Sequence, residues 1–87
     1  MSRGLIELFE LPSDIILNQI NIGMKGNTDM TIENHKGLVM YDNNNIEILS
    51  NKRRIKVSGC ELFISEYNRN VIHISGIIEE VVFESQD

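Results

Sequence analysis

Two copies of a short pattern near the end of the chain constrain the fold more than any other feature. Residues 55–59 read IKVSG and residues 72–76 read IHISG. In each copy apolar and polar residues alternate, which places the apolar side chains on one face of an extended strand. Each copy finishes at a glycine, whose backbone suits a turn or a bulge. We therefore expect Gly59 and Gly76 to be structural residues that end matched strands.

Short strand-like segments separated by turn residues fill the region 21–85. The DNNN stretch at residues 42–45 is the clearest of these turns, because Asn and Asp tolerate left-handed backbone. Strands and turns at this spacing predict a mainly β protein of about eight short strands. The short connections favour an antiparallel meander, sandwich or small barrel. The offset of 17 residues between the two copies keeps a short β-solenoid open as the alternative.

The first 20 residues have a different pattern. Apolar residues recur there at mixed spacing, and Ser13 after Pro12 is a candidate helix cap. We expect a helical N-terminal segment, 1–20, with one or two short helices, followed by a β-sheet region, 21–85, in a single domain of 87 residues. The segment could cover one face of the sheet or dock on a partner.

Charge and hydropathy limit the location of the chain. A net charge of −5 argues against nonspecific binding to nucleic acid or to anionic membranes. No apolar run approaches the length of a transmembrane helix, and acidic residues interrupt the start of the chain where a signal peptide would be apolar. The sequence therefore predicts a soluble, cytoplasmic protein without a transmembrane segment.

The small size of the chain predicts self-association. A domain of this length buries only about 60% of its unfolded surface, and exposed sheet edges tend to pair. We expect a homo-oligomer in which the C-terminal strand, residues 80–84, makes the contact. Its apolar side chains are the candidate interface residues: Val81, Val82 and Phe83.

Candidate reactive residues are few. Cys60 is the single cysteine; it follows a glycine and starts a strand-like run, so we expect a buried thiol that acts as a small hydrophobe. His35 and His73 lie at no metal-ligand spacing. We therefore expect no catalytic residue, no metal and no cofactor, and we keep an enzyme that uses His35 or Cys60 as a minor alternative.

Residues 34–37 form a polar connection between two predicted strands. Its members are candidate turn and motif residues: Asn34, His35, Lys36 and Gly37. One interpretation is a hairpin turn in which Asn34 or His35 has an unusual backbone angle and Gly37 relieves the strain. The other interpretation is a site where His35 and Lys36 bind an anion or donate a proton.

One basic cluster supports a second hypothesis about binding. It consists of four neighbouring cations: Lys52, Arg53, Arg54 and Lys56. Such a cluster could contact phosphates of a polyanion or nucleic acid. It could equally be a solvated strand face whose charges discourage edge pairing, and we favour this interpretation because the chain is acidic.

Several stretches together resemble the YabP/YqfC sporulation-protein family, and most closely its YqfC branch. They are ELFELP at residues 7–12, IGM at 22–24, IENHKG at 32–37, IKVSG at 55–59 and ISG at 74–76. The IENHKG stretch and the Leu-Pro pair at 11–12 are the most specific. The resemblance runs from about Glu7 to Phe83. It departs at residues 19–21, where QIN stands in place of the proline and basic residue that the family often has.

The resemblance implies a function that the residues alone do not. Family members are small proteins of endospore-forming bacteria that are made in the mother cell and linked to assembly of the spore's outer layers, the coat or cortex. It implies a non-enzymatic assembly protein without a cofactor, acting through contacts with other sporulation proteins, in the mother-cell cytoplasm or at the forespore surface. A polyanion- or nucleic-acid-binding module built on residues 52–56 is the alternative.

Overall fold

The computed structural model describes residues 19–85, which form six β-strands. The strands are β1 (Asn21–Lys25), β2 (Asp29–Glu33), β3 (Gly37–Tyr41), β4 (Asn45–Ser50), β5 (Arg53–Tyr67) and β6 (Val71–Ser85). They make one open sheet in the order β1-β2-β6-β5-β4-β3, and every neighbouring pair is antiparallel. The prediction of an antiparallel, mainly β structure is confirmed for these residues, and the solenoid alternative is wrong.

The prediction of about eight short strands is wrong, because two pairs of predicted strands are continuous. Residues 53–58 and 60–65 both belong to β5, and residues 71–75 and 80–84 both belong to β6. Gly59 and Gly76 therefore lie inside long strands and do not end them. The register between β5 and β6 shifts at Ser58/Gly59, which is a bulge. A glycine inside a strand is typical of a bulge or of a close backbone approach. In the sequence alone, such a glycine looks the same as one that ends a strand, which is why the prediction failed.

The predicted N-terminal helices fall on residues 1–18, which lie outside the described part of the chain. Residues 19 and 20, the last two of the predicted helical segment, are not helical. Between residues 19 and 85 no helix is long and apolar enough to cross a membrane.

The β5–β6 hairpin bends, and each half of it belongs to a different part of the sheet. β4 pairs with residues 53–58 of β5, whereas β2 pairs with residues 71–75 of β6. A straight strand of 15 residues would be about 50 Å long. Yet the connection between β2 and β3 reaches the turn of this hairpin and the strand beside its open end. Asn34 N–H donates to Asn70 O at 2.7 Å, and Lys36 N–H donates at 2.8 Å to the carbonyl of Leu49, the β4 partner of Arg54. Three residues span at most about 11 Å, so the hairpin is folded back on itself.

This bend brings the apolar side chains of both halves into one core. Directly paired residues share a face of a sheet, and the pairs Met30–Ile74 and Ile48–Ile55 are fully buried in different halves. The buried apolar side chains form a single cluster: Met30, Ile32, Ile46, Ile48, Ile55, Val57, Leu62, Ile72, Ile74 and Ile78. The core is aliphatic and dominated by β-branched residues, which suit strands.

The two sequence copies occupy equivalent places in the two halves. Gly59 N–H donates to Asn44 O at 3.0 Å and Gly76 N–H donates to Thr28 O at 3.2 Å, so each glycine contacts the turn of a β-hairpin. The serine before each glycine repeats this relation, because Ser58 donates to Asn45 and Ser75 donates to Asp29. The repeat in the sequence therefore corresponds to an approximate two-fold relation in the structure: the first copy contacts the β3–β4 hairpin as the second copy contacts the β1–β2 hairpin.

The two glycines stand where no side chain fits. A Cβ on Gly59 would collide with the backbone carbonyl of Ile77, and one on Gly76 would meet the backbone of Glu61 and lie 2.9 Å from Leu62 Cα. Gly76 also has a φ of +126°, which L side chains rarely adopt. The tight bend of the hairpin depends on this close backbone approach.

We expect Gly59→Ala and Gly76→Ala each to lower the free energy of unfolding by at least about 1 kcal/mol, since a backbone has to shift to admit the methyl group. Gly23→Ala is the matched control, because a Cβ there meets no described residue within 4 Å. Urea unfolding of the three variants measures the difference. Equal stability of the Gly59 and Gly23 variants would contradict the proposed role of the close approach.

Candidate functional site

The connection formed by residues 34–36 is a crossover and not the predicted hairpin turn. It joins β2 to β3, which are not neighbours in the sheet. Asn34 has a φ of +70° and Gly37 a φ of +143°, so unusual backbone angles occur at both of these residues. Asn34 also donates from its side chain to Gln19 O at 2.7 Å. The connection is thereby tied to the start of β1 as well as to both ends of the long hairpin.

His35 is the buried centre of this connection. Its side chain is 6% exposed, and its Nε2 lies 2.8 Å from the backbone carbonyl of Asn68 in the β5–β6 turn. A carbonyl oxygen can only accept a hydrogen bond, so Nε2 bears the proton and donates. The ring also packs on Tyr67, with 5.6 Å between ring centroids. His35 therefore connects the β5–β6 turn to the crossover through a hydrogen bond and a ring contact.

His73, which the sequence pattern places on the outer face of its strand, joins β6 to β2. Its Nδ1 lies 2.9 Å from Thr31 Oγ1 and its Nε2 lies 3.3 Å from Asp29 Oδ1. The His73–Asp29 pair is half-exposed. Sequence reasoning missed this pair because 44 positions separate the two residues; only the pairing of β2 with β6 brings them together.

The pKa of Asp29 is lowered below its ordinary value of 3.8, first by the hydrogen bond from His73 and then by the one from Thr28. A lowered pKa in the folded state means that folding favours the carboxylate. The resulting stabilisation is present above the unfolded-state pKa and is lost as the pH falls through the folded-state pKa.

Cys60 is exposed, so the prediction of a buried thiol is wrong. Val57 and Gly59 are buried, and alternation then directs Cys60 outward. The alternation along β5 is interrupted at Glu61, which has a φ of +53°. The next residue, the apolar Leu62, then faces the core.

Half of the basic cluster is compensated by acids. Arg54 forms an ion pair with Glu47 at 3.2 Å and Lys56 one with Glu84 at 3.7 Å. Both cations lie on the outer face of the sheet, where Glu47 is the cross-strand partner of Lys56. Two of the four charges that a polyanion would need are therefore already neutralised. In the described part of the chain, no group of three His, Cys, Asp or Glu side chains could hold a metal ion.

The candidate interface residues lie in the last part of β6. Val81 and Val82 are partly buried, Phe83 is 50% exposed, and all three pair with β5 on one side. Val81 packs against the core cluster. The structure thus places these residues at the end of a long strand whose first part is paired on both sides.

We expect His35→Ala to lower the free energy of unfolding by at least about 2 kcal/mol, because it removes a buried ring and its hydrogen bond to the far turn. His73→Ala is the matched control and should cost less, since that ring is partly in solvent. Thermal and urea unfolding measure both effects. A larger loss in the His73 variant would contradict the assignment of His35 as the fastening residue.

We expect the stability difference between the wild type and Asp29→Asn to be constant down to about pH 5 and to shrink below about pH 4, as the carboxylate of the wild type becomes protonated. Urea unfolding at a series of acidic pH values measures this difference. A difference that does not change with pH would show that the carboxylate charge of Asp29 contributes nothing.

Comparison with known proteins identifies the family. The sequence model of the YabP family matches residues 17–87. The chain is also similar to the Bacillus subtilis (strain 168) protein named "Uncharacterized protein YqfC", with 27% identity over 81 residues that cover 93% of this chain and 87% of that protein. Both findings agree with the resemblance carried by the short motifs: the chain belongs to the YabP family.

Proposed function

We propose that this protein is a non-enzymatic sporulation protein that takes part in assembly of the spore's outer layers through protein–protein contacts. Membership of the YabP family supports the link to sporulation. The observation that carries the proposal of protein contacts is an open edge on the C-terminal part of β6. Membership of the family does not by itself indicate which surface makes these contacts.

The open edge follows from the alternation of backbone hydrogen bonds in an antiparallel sheet. Gly59 donates toward the β4 side, so alternation directs Val57 and Ile55 to β4 and directs Ser58 and Lys56 to β6. Lys56 is opposite Val82 and Ile55 is opposite Phe83. The backbone N–H and C=O groups of Val81, Phe83 and Ser85 therefore point away from β5.

Within residues 19–85, no strand pairs with that side of β6. β2 pairs only with residues 71–75, and the β1–β2 turn reaches no further than Ile78, whose N–H donates to Asn27 O at 2.7 Å. The equivalent edge of β5 is covered further, because Ile64 N–H donates to the hydroxyl of Tyr41 at 3.0 Å. Lys25, which takes the place of Tyr41 in the β1–β2 hairpin, carries no acceptor.

An unpaired edge next to an exposed aromatic side chain is a template for strand addition. We infer that a second copy of this chain pairs there antiparallel, with Phe83 opposite Phe83 across a two-fold axis. In this register the residues whose backbone groups point away from β5 pair with one another across the two copies. Glu84 of one copy then lies opposite Val82 of the other, so that no two carboxylates face each other. A homo-oligomer of this kind would present a continuous sheet surface to other sporulation proteins.

A catalytic role is the weaker hypothesis. Thr31, His73 and Asp29 lie in the order of a hydroxyl, a base and an acid, but acyl transfer also needs backbone N–H donors free for an oxyanion. β2 is paired on both sides, with β1 and with β6, so its N–H groups serve the sheet. We therefore favour a role for this cluster in joining β2 to β6 over a catalytic role.

We expect the full chain at micromolar concentration to sediment as an oligomer and Phe83→Lys to sediment as a monomer, because a charge on an edge strand opposes pairing. Phe63→Lys is the matched control: Phe63 is 51% exposed and Phe83 is 50% exposed, and Phe63 lies on β5. Sedimentation velocity gives the masses. A wild type that stays monomeric, or an equal effect of both substitutions, would contradict the edge contact.

The role in sporulation is tested by replacing the gene in its own sporulating organism. We expect deletion and the Phe83→Lys variant to lower the yield of lysozyme-resistant spores, and the Phe63→Lys variant to leave it unchanged. Normal resistance after deletion would contradict a role in the outer layers.

A further inference from the structure

A depression on the surface lies beside the crossover and is independent of the β6 edge. It has a volume of about 430 Å³ and is lined by residues from the crossover and from the β5–β6 turn: Asn34, His35, Lys36, Gly37, Tyr67, Arg69 and Asn70. Among residues 19–85, no carboxylate belongs to this lining. Glu33 and Glu66, the acids nearest in sequence, are members of the flanking strands.

Two cations line the depression without a counter-charge. Within residues 19–85, neither Lys36 nor Arg69 forms an ion pair, whereas Arg54 and Lys56 both do. Among residues 19–85, no ion pair competes with an anionic ligand for these two cations. Their joint field at a concave surface favours an anion.

The third feature is a buried nitrogen without a partner. His35 Nε2 donates to Asn68 O, and His35 Nδ1 is buried and has no hydrogen-bond partner. In the neutral ring Nδ1 is an acceptor that lacks a donor, and in the charged ring it is a donor that lacks an acceptor. A buried polar atom without a partner carries a desolvation cost. His35 also lines the depression, so a ligand bound there lies close to this unpartnered nitrogen.

We propose that this depression binds a small oxyanion, a phosphate or carboxylate group, between the side chains of Lys36 and Arg69. The planar guanidinium of Arg69 suits two oxygens of one such group, and the ammonium of Lys36 supplies a point charge. Because Lys36 belongs to the crossover and Arg69 to the β5–β6 turn, the bound group links these two segments.

Titration of the ¹⁵N-labelled full chain with sodium phosphate, at constant ionic strength held with sodium chloride, tests the proposal. We expect saturable shifts confined to the amides of residues 34–37 and 67–70. A parallel titration with sodium acetate distinguishes the phosphate group from the carboxylate group by which one saturates at the lower concentration. Shifts that stay linear, or that spread over the whole surface, would overturn the proposal.

Arg69→Ala and Lys52→Ala form a matched pair, because each removes one exposed turn cation and only Arg69 lines the depression. We expect Arg69→Ala to weaken phosphate binding at least about tenfold, as the loss of a charge-assisted contact does, and Lys52→Ala to leave it unchanged. Equal weakening would show a general charge effect and overturn the site. The β6 edge is not involved, so the sedimentation result for Phe83→Lys does not depend on this outcome.

Discussion

The close approach of β5 and β6 at Gly59 and Gly76 is the constraint on which the rest of the structure depends. Without it the two long strands would form an extended hairpin with an apolar face that no other element covers. With it, the β1–β2 hairpin and the β3–β4 hairpin are held on the two sides of one aliphatic core. Each glycine also donates its N–H to the turn of one of these hairpins. The same two residues therefore permit the bend and hold both hairpins in place.

The crossover at residues 34–36 closes this arrangement. It is the connection between the two hairpins, and its backbone is bonded to the β5–β6 turn and to the end of β4. His35 adds a buried side-chain bond to the same turn. The polar character of the segment therefore serves closure of the fold, and Lys36, together with Arg69 of the β5–β6 turn, lines the surface depression. Closure uses the backbone and the His35 ring, whereas the proposed anion site uses the two cationic side chains.

The two-fold relation between the halves is incomplete. The proposed contact with other proteins uses the strand edge at which the two halves differ. The hydroxyl of Tyr41 accepts a hydrogen bond from the edge of β5 at Ile64, whereas the equivalent position near β6 is Lys25. Among the described residues, the C-terminal part of β6 is thus a strand paired on one side with an aromatic side chain exposed at its edge. The proposal of self-association rests on this asymmetry and not on total exposed apolar area.

The sequence predicted that the alternate apolar residues of 55–57 and 72–74 share one face of a strand, and these residues are buried in the core. It did not predict that the strands continue past Gly59 and Gly76, since a glycine that permits a bulge and one that ends a strand look alike in sequence. The exposure of Cys60 follows from the same continuation of β5 past Gly59, because the buried Gly59 directs the next residue outward. The crossover was missed because a short polar connection more often joins neighbours, and the His73–Asp29 pair because strand order is a property of the whole sheet.

The bend itself is tested most directly by a distance across the long hairpin. Spin labels at Asn51→Cys and Arg69→Cys, in a Cys60→Ser background, lie near its two ends, and pulsed electron resonance gives their separation. The bonds of Asn34 and Lys36 to the two ends predict a separation below about 30 Å, allowing for the reach of three residues and two label side chains. A separation of about 50 Å, the length of a straight strand of this size, would contradict the folded-back hairpin.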